Sequence, residues 1–305
     1  MKKTFYSHGK LLITGEYAVL DGALSLALPT RFGQSMEVER IKERIIQWES
    51  RDIEDNTWFK TAIPLPLEAP ENNVEEATSE SYSTLLKLLK TAEQQQPEFF
   101  ASETGFKVVC HLGFPRDWGL GSSSTLVNNI AQWTDTDPYL LLAESFGGSG
   151  YDIACARQHL PLLYQLTENK PNIETVEFDP SFSESLYFVH LNQKQNSREG
   201  IRIYRESTAN KTTLVKELNQ ITHALIGATQ LDEFASYLEK HEQLISKAIR
   251  LPMVKEKLFP DFPGSLKSLG AWGGDFVLAT GGPDTPEYFR TKGYQTIVPY
   301  REMIL

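Results

Sequence analysis

The chain has 305 residues, 40% of them hydrophobic and 23% charged, the composition of an ordinary globular protein with enough length for two cores. A net charge of −10 argues against nucleic acid as a partner, and a small anionic substrate would need a basic pocket set against that field. Cys110 and Cys155 show neither metal spacing nor a disulfide framework, which reads as two buried thiols in a reducing compartment. Lys10 and Glu16 interrupt any signal-type apolar core after Met1-Lys2-Lys3, and no apolar run reaches membrane-spanning length, so a cytoplasmic protein without membrane contact is expected.

In chain order, residues 11–19 read as an apolar strand, with Gly22 at the following turn. Residues 34–41 and 44–48 alternate around a charged turn, the pattern of a hairpin, and 51–56 is a charged connection. Pro64, Pro66 and Pro70 mark a loop over 64–73. A helix is expected from Thr78 or Ser79, with Tyr82, Leu85, Leu86 and Leu89 on its apolar face. Residues 106–112 read as a strand feeding a glycine loop, after which Leu126, Ile130 and Trp133 mark a helix. Beyond Pro171 the pattern restarts, with a strand at 186–191, helices at 214–225 and 231–249, and a strand at 276–279. A last helix at 288–292 and a last strand at 296–299 complete a β-α-α-β-α-β order, compatible with a split βαβ sandwich in an α+β protein.

Four glycine-bearing segments punctuate this pattern. They are Gly9-Lys10-Leu11-Leu12-Ile13-Thr14-Gly15-Glu16-Tyr17, Pro115-Arg116-Asp117-Trp118-Gly119-Leu120-Gly121-Ser122-Ser123-Ser124, Gly148-Ser149-Gly150-Tyr151-Asp152-Ile153-Ala154, and Gly270-Ala271-Trp272-Gly273-Gly274-Asp275. The second reads as a phosphate cradle: glycines admit an anion close to backbone N–H groups, and the helix start behind them adds unpaired donors and a positive dipole end. It is neither a Walker loop, because no Lys directly follows the glycines, nor a dinucleotide fingerprint.

Together and in this order, the four segments resemble those of the GHMP kinases (galactokinase, homoserine kinase, mevalonate kinase and phosphomevalonate kinase), over most of the chain from about Gly9 to Gly281. Tyr17, Gly148-Ser149-Gly150-Tyr151-Asp152 and the Asp275 ending the late loop are similar to the phosphomevalonate kinase branch. The resemblance implies a ribosomal-protein-S5-like ATP-binding domain over 1–180 and a ferredoxin-like domain over 181–305. It also implies ATP and Mg²⁺ as cofactors, a small acidic acceptor, and a monomer or homodimer.

Carried over residue by residue, the resemblance makes Asp152 the catalytic base and Lys10 its partner, keeping it ionised and helping to neutralise the moving phosphoryl group. Gly119, Leu120, Gly121, Ser122, Ser123 and Ser124 would hold the triphosphate, with Gly273 and Gly274 packing beneath it. Ser122 and Ser123 suit either Mg²⁺ ligation or helix capping, and Ser123 is the nearer match for the metal-side serine. Lys194, Ser197 and Arg198 read either as a solvated polar loop or as the acceptor-side loop. Glu16 reads as a structural or substrate-side carboxylate. Trp118 and Trp272 depart from the family's small residues, and would stack on a base or fill a gap. Only 30 residues separate Ser122 from Asp152, a span in which the family has a longer helical insertion supplying the acidic metal ligand. Glu144 is the candidate for that role, with Asp135 and Asp137 as substitutes. Mevalonate kinase is the nearest rival activity, a related decarboxylase is disfavoured by the Gly-Lys context of Lys10, and a catalytically idle nucleotide or metabolite sensor is the rival from another class.

Overall fold

Residues 2–67, 80–168, 170–193 and 197–305 are described by the computed structural model, with the backbone alone at 197 and 198. The fold is mixed α+β, and its strands fall into two sheets. Packing divides the chain into two units that are interleaved along the sequence. The first comprises Met1–Gly9, Phe32–Arg116 and Leu120–Arg157, and the second Lys10–Arg31, Asp117–Gly119 and Gln158–Leu305.

Two long strands run through both units: β1 (Lys2–Leu12) and β2 (Ser25–Ile41), which pair with each other. The expected strand at 11–19 is therefore corrected. Extension stops at Leu12, because Gly15 and Tyr17 take left-handed conformations (φ 88° and 57°), and Ala18–Asp21 coils into a 3-10 turn. In the first unit, residues 34–41 of β2 pair antiparallel with β5 (Gly105–Leu112). β3 (Ile45–Arg51) pairs with β4 (Thr57–Pro64) and lies parallel to β5. The expected hairpin of 34–41 with 44–48 is thus wrong, since β5 takes the position between the two strands. Both neighbours flank an interior strand whose Phe106, Val108 and Cys110 are buried. The true hairpin is β3–β4, around the charged connection at 51–56.

Helix α1 (Glu80–Gln95) buries Tyr82, Leu85, Leu86 and Leu89 as the periodicity predicts; the proposed starts at Thr78 and Ser79, and residues 68–73 of the proline loop, lie outside the described residues. Helices α2 (Ser122–Thr134), α3 (Pro138–Ser145) and α4 (Tyr151–Arg157) complete the unit. One core takes Trp48, Leu89, Phe106, Ile130, Leu141 and Ile153 from all these layers.

In the second unit, residues 25–27 of β2 pair with β6 (Leu162–Thr167), and β6 pairs with β7 (Lys170–Thr175). A separate antiparallel sheet has the order β11-β8-β10-β9, from β8 (Leu186–His190), β9 (Leu266–Leu269), β10 (Phe276–Thr280) and β11 (Ile297–Pro299). Helices α5 (Ser197–Glu206), α6 (Lys211–Gly227), α7 (Leu231–Ile249), α8 (Val254–Leu258), α9 (Thr285–Thr291) and α10 (Tyr300–Met303) accompany it. Strand β9 and helices α5, α8 and α10 are absent from the expected β-α-α-β-α-β order. All but α5 are at most five residues long, and α5 begins within the polar stretch at 194–198.

Candidate active site

In the first unit the chain leaves the glycine loop through Gly121, whose left-handed φ of 89° favours glycine, and enters α2 directly. No side chain caps the start of this helix. Ser124 and Thr125 instead turn their hydroxyls back onto the Gly121 carbonyl, at 2.9 and 3.1 Å. Ser122 is half-buried and Ser123 exposed, so these two hydroxyls stand at the open end of the helix, while Ser124 is buried. The sequence-predicted serines thus divide, and Ser124 serves the loop's own geometry.

Helix α2 is held by buried neutral hydrogen bonds. Ser7 donates to Asn129 Oδ1 at 2.7 Å and accepts from Asn128 Nδ2 at 2.8 Å. Asn129 Nδ2 donates to the Gln34 carbonyl at 2.9 Å, and Thr125 to Gln34 Oε1 at 2.7 Å. Buried amides keep their place only when paired in this way. Against α2 packs α4, which carries Asp152 in its first turn, and Asn128 Nδ2 reaches the Ala156 carbonyl at 3.4 Å. The cradle helix and the helix of the expected base are therefore neighbours. Asp152 is half-buried, and its Oδ1 accepts the Ile153 N–H at 3.0 Å.

Glu144 lies exposed near the end of α3. Asp137 is committed as the N-cap of that helix, accepting from Tyr139 N, and Asp135 is the left-handed C-cap of α2. No cluster of three or more His, Cys, Asp or Glu side chains suited to a metal ion occurs among the described residues.

In the second unit, Lys10 projects from β1 and donates from Nζ to the Gly119 carbonyl at 2.7 Å. Gly119 is left-handed (φ 64°), and a Cβ there would come within 2.3 Å of the Asp275 carboxyl carbon. The late loop at 270–275 therefore packs directly against 117–119, a closeness only glycine permits. Its own turn closes through Gly274 N to the Ala271 carbonyl at 3.1 Å, with Gly273 at φ 75° and open space where a Cβ would stand. Asp275, also left-handed at φ 50°, ties the loop to β8 and its extension by donating from N to the Gln193 carbonyl and accepting from Leu191 N.

The two tryptophans fill gaps within this unit. Trp118 meets Phe276 edge-on, with centroids 5.4 Å apart, and Trp272 donates its indole N–H to the Pro252 carbonyl at 3.0 Å. Of the acceptor-side candidates, Lys194 lies outside the described residues, and Ser197 and Arg198 open α5 instead of ending a loop.

The residues that sequence reasoning missed form a buried charged cluster around Glu16. Lys267 of β9, fully buried, pairs through Nζ with Glu16 Oε1, donates to the Ser268 carbonyl at 2.9 Å, and lies 3.7 Å from Glu242. His241 Nε2 accepts the Gly15 N–H at 2.8 Å, which places the ring proton on Nδ1. Burial, opposed by the Lys267 charge, pushes the Glu16 carboxyl up to about 7; burial also raises Glu242. Burial, reinforced by the Lys267 charge, holds His241 well below its usual range, hence neutral. One signal was legible: Phe234, Leu238, His241 and Ile245 share a helical apolar stripe. A single lysine in so short a strand gave none.

No protein-family profile matches this sequence, and no curated protein matches it in sequence. Solved structures do match. Mevalonate kinase from Methanococcus jannaschii superposes with a TM-score of 0.69 at 15% identity, covering 96% of this chain and 95% of that one. Phosphomevalonate kinase from Streptococcus pneumoniae, in complex with phosphomevalonate and AMPPNP, gives 0.69 at 16% identity, covering 95% of each. Galactokinase from Lactococcus lactis, complexed with galactose, gives 0.72 at 13% identity, covering 95% of this chain and 88% of that one. The chain has the fold of the GHMP kinases. At such low identity the shared GHMP fold carries the elements that position a site and leaves the acceptor open.

Proposed function

We propose that the protein is an ATP- and Mg²⁺-dependent GHMP-type kinase that transfers the γ-phosphoryl group to a small acidic acceptor, in the manner of a phosphomevalonate kinase. The observation that carries this reading is the uncapped start of α2 directly behind left-handed Gly121, with the Lys10 ammonium on the Gly119 carbonyl of the same loop. Backbone N–H groups of Leu120, Gly121, Ser122 and Ser123 would take phosphate oxygens. Gly273, through its positive φ, and Gly274 would turn the late loop beneath the phosphates. Phosphoryl transfer asks for positioning and charge neutralisation more than covalent chemistry, and that is what these groups offer.

Asp152 would accept the acceptor's proton and Lys10 would neutralise charge at the transferred group; their pairing is part of this proposal. The exposed oxygens of Ser123 and Glu144 are hard donors that suit Mg²⁺, which keeps waters and takes few protein ligands. The ion would supply charge neutralisation of the phosphate oxygens. Lys194, Ser197 and Arg198 would hold the acidic end of the acceptor. Further parts of the reading are the division into 1–180 and 181–305, a cytoplasmic location and a monomer or homodimer. The strand order β11-β8-β10-β9, the fourth, first, third and second strands of its sheet, supports a ferredoxin-like second domain. Among the described residues no helix is long and apolar enough to cross a membrane. Mevalonate kinase is the second reading, supported by a structural neighbour of that activity at the same TM-score.

Asp152→Asn tests the mechanism. It keeps the shape and removes the base, so kcat should fall by about 10²–10⁴-fold while AMPPNP still binds. Lys10→Met should also lower kcat, and the double variant should lose less than the product of the two, as residues acting as a unit do. Full activity in Asp152→Asn contradicts the assignment.

A further inference from the structure

The turn at 14–17 links β1, which carries Lys10, to the 3-10 turn Ala18–Asp21. Two of its residues are left-handed, one of them the non-glycine Tyr17, so its conformation must be held from outside. Two elements hold it. From α7, His241 takes the Gly15 N–H; from β9, Lys267 takes the Glu16 carboxylate. Glu242, also on α7, receives both Ser268 N (3.2 Å) and Ser268 Oγ (2.7 Å), which fixes β9 against the helix. All four charged or imidazole side chains are at most 2% exposed.

At the end of this turn, the Tyr17 hydroxyl accepts the backbone N–H of Trp272 at 2.9 Å, and Trp272 belongs to the loop into which β9 leads. A Cβ on Gly200 of α5 would stand 2.5 Å from that same hydroxyl. The turn therefore touches the loop at 270–275 and helix α5, while continuing the strand of Lys10. We propose that Lys267, with His241 and Glu242, forms a buried clamp on the 14–17 turn, and that Lys267 is a positioning residue for Lys10 and the late glycine loop. A fully buried ion pair is poor evidence of a stability device, because apolar residues of similar volume often serve as well. Here its geometry fixes a turn that local preferences do not favour. The catalytic consequence rests on the kinase reading above; the clamp itself does not.

The double variant K267M/E16Q removes both partners of the closer pair and leaves Glu242 held by its hydrogen bonds from Ser268. In the folded double variant, the Trp272 indole N–H signal in a ¹H–¹⁵N spectrum, assigned with Trp272→Phe, should shift. With ATP and phosphomevalonate, kcat should fall by about 10²-fold, the scale of a displaced site, with the ATP KM nearly unchanged. An unmoved indole signal overturns the clamp, and an unchanged kcat overturns the positioning role of Lys267. If the parent enzyme turns over no acceptor, the kinase reading fails and the indole signal alone decides the clamp. Should the double variant not fold, the wild-type indole signal is titrated instead. Glu16 faces Lys267 from β9 and His241 and Glu242 from α7, so a single transition near pH 7 is expected as its protonation loosens the pair. A flat titration from about pH 5.5 to 8.5 overturns the proposal.

Discussion

The two units hold their site elements by opposite means. In the first, α2 is fastened by Ser7, Gln34, Thr125, Asn128 and Asn129, all neutral. In the second, the turn after Lys10 is fastened by Glu16, Lys267, Glu242 and His241, three of them charge-bearing types and all buried. Neutral amide and hydroxyl bonds do not titrate, and each contributes modestly. A buried ammonium shared by two carboxylates responds to pH, and losing one member strands another in a low-dielectric interior. Helix α2 should therefore tolerate a range of conditions, and the turn should not.

Lys267→Met alone breaks that contrast most severely. It leaves Glu16 and Glu242 buried without their cation, and should cost about 3–5 kcal/mol in urea denaturation. Adding Glu16→Gln should recover a large part of the loss; no recovery would mean that the two carboxylates do not share the lysine as drawn. Next in size, the double variant K194A/R198A should weaken acceptor binding by about 1.5–3 kcal/mol with the ATP KM untouched. Normal acceptor kinetics would reduce those residues to solvated surface. Asn129→Ala, the counterpart in the first unit, should cost about 1–3 kcal/mol by stranding its buried partners, and the cost should be the same at acid and neutral pH.

The smallest effect is the most specific. The Glu16 carboxyl is raised by burial to about 7 from a model-compound value of 4.5, so between those values the folded state binds more protons than the unfolded one. The stability from this group is present below about pH 4.5 and is lost as pH rises toward 7. Glu16→Gln should flatten that part of the stability curve, and Asn129→Ala should leave its slope unchanged. A parent curve with no fall over this window that Glu16→Gln removes would contradict the raised Glu16 carboxyl.

What the sequence revealed follows from the physics of each feature. Helices α1, α6 and α7 repeat their apolar residues over many turns, and strand β8 is a continuous buried run; such signals survive without tertiary context. The position of β5 between β2 and β3 was hidden, because alternation fixes which face a residue occupies and not which strand it pairs with. Glycine loops were legible through their spacing, and Gly119 and Gly121 do take the left-handed backbone that spacing suggests. Lys267 was not legible, since burial of a lysine depends on carboxylates more than twenty residues away in sequence. Asn128 and Asn129 were hidden for the same reason: their partners lie on β1 and β2.

Phosphoryl transfer to a small acidic acceptor is the activity proposed for this chain. The direct measurement is ³¹P NMR of the protein with ATP and Mg²⁺, run against phosphomevalonate, mevalonate, homoserine and sugars in parallel. The expected result is acceptor-dependent formation of ADP with a new phosphorylated product, fastest with phosphomevalonate and lost in Asp152→Asn. Binding of AMPPNP without phosphorylation of any of these acceptors would contradict the claim, and would leave a nucleotide sensor built on a kinase fold.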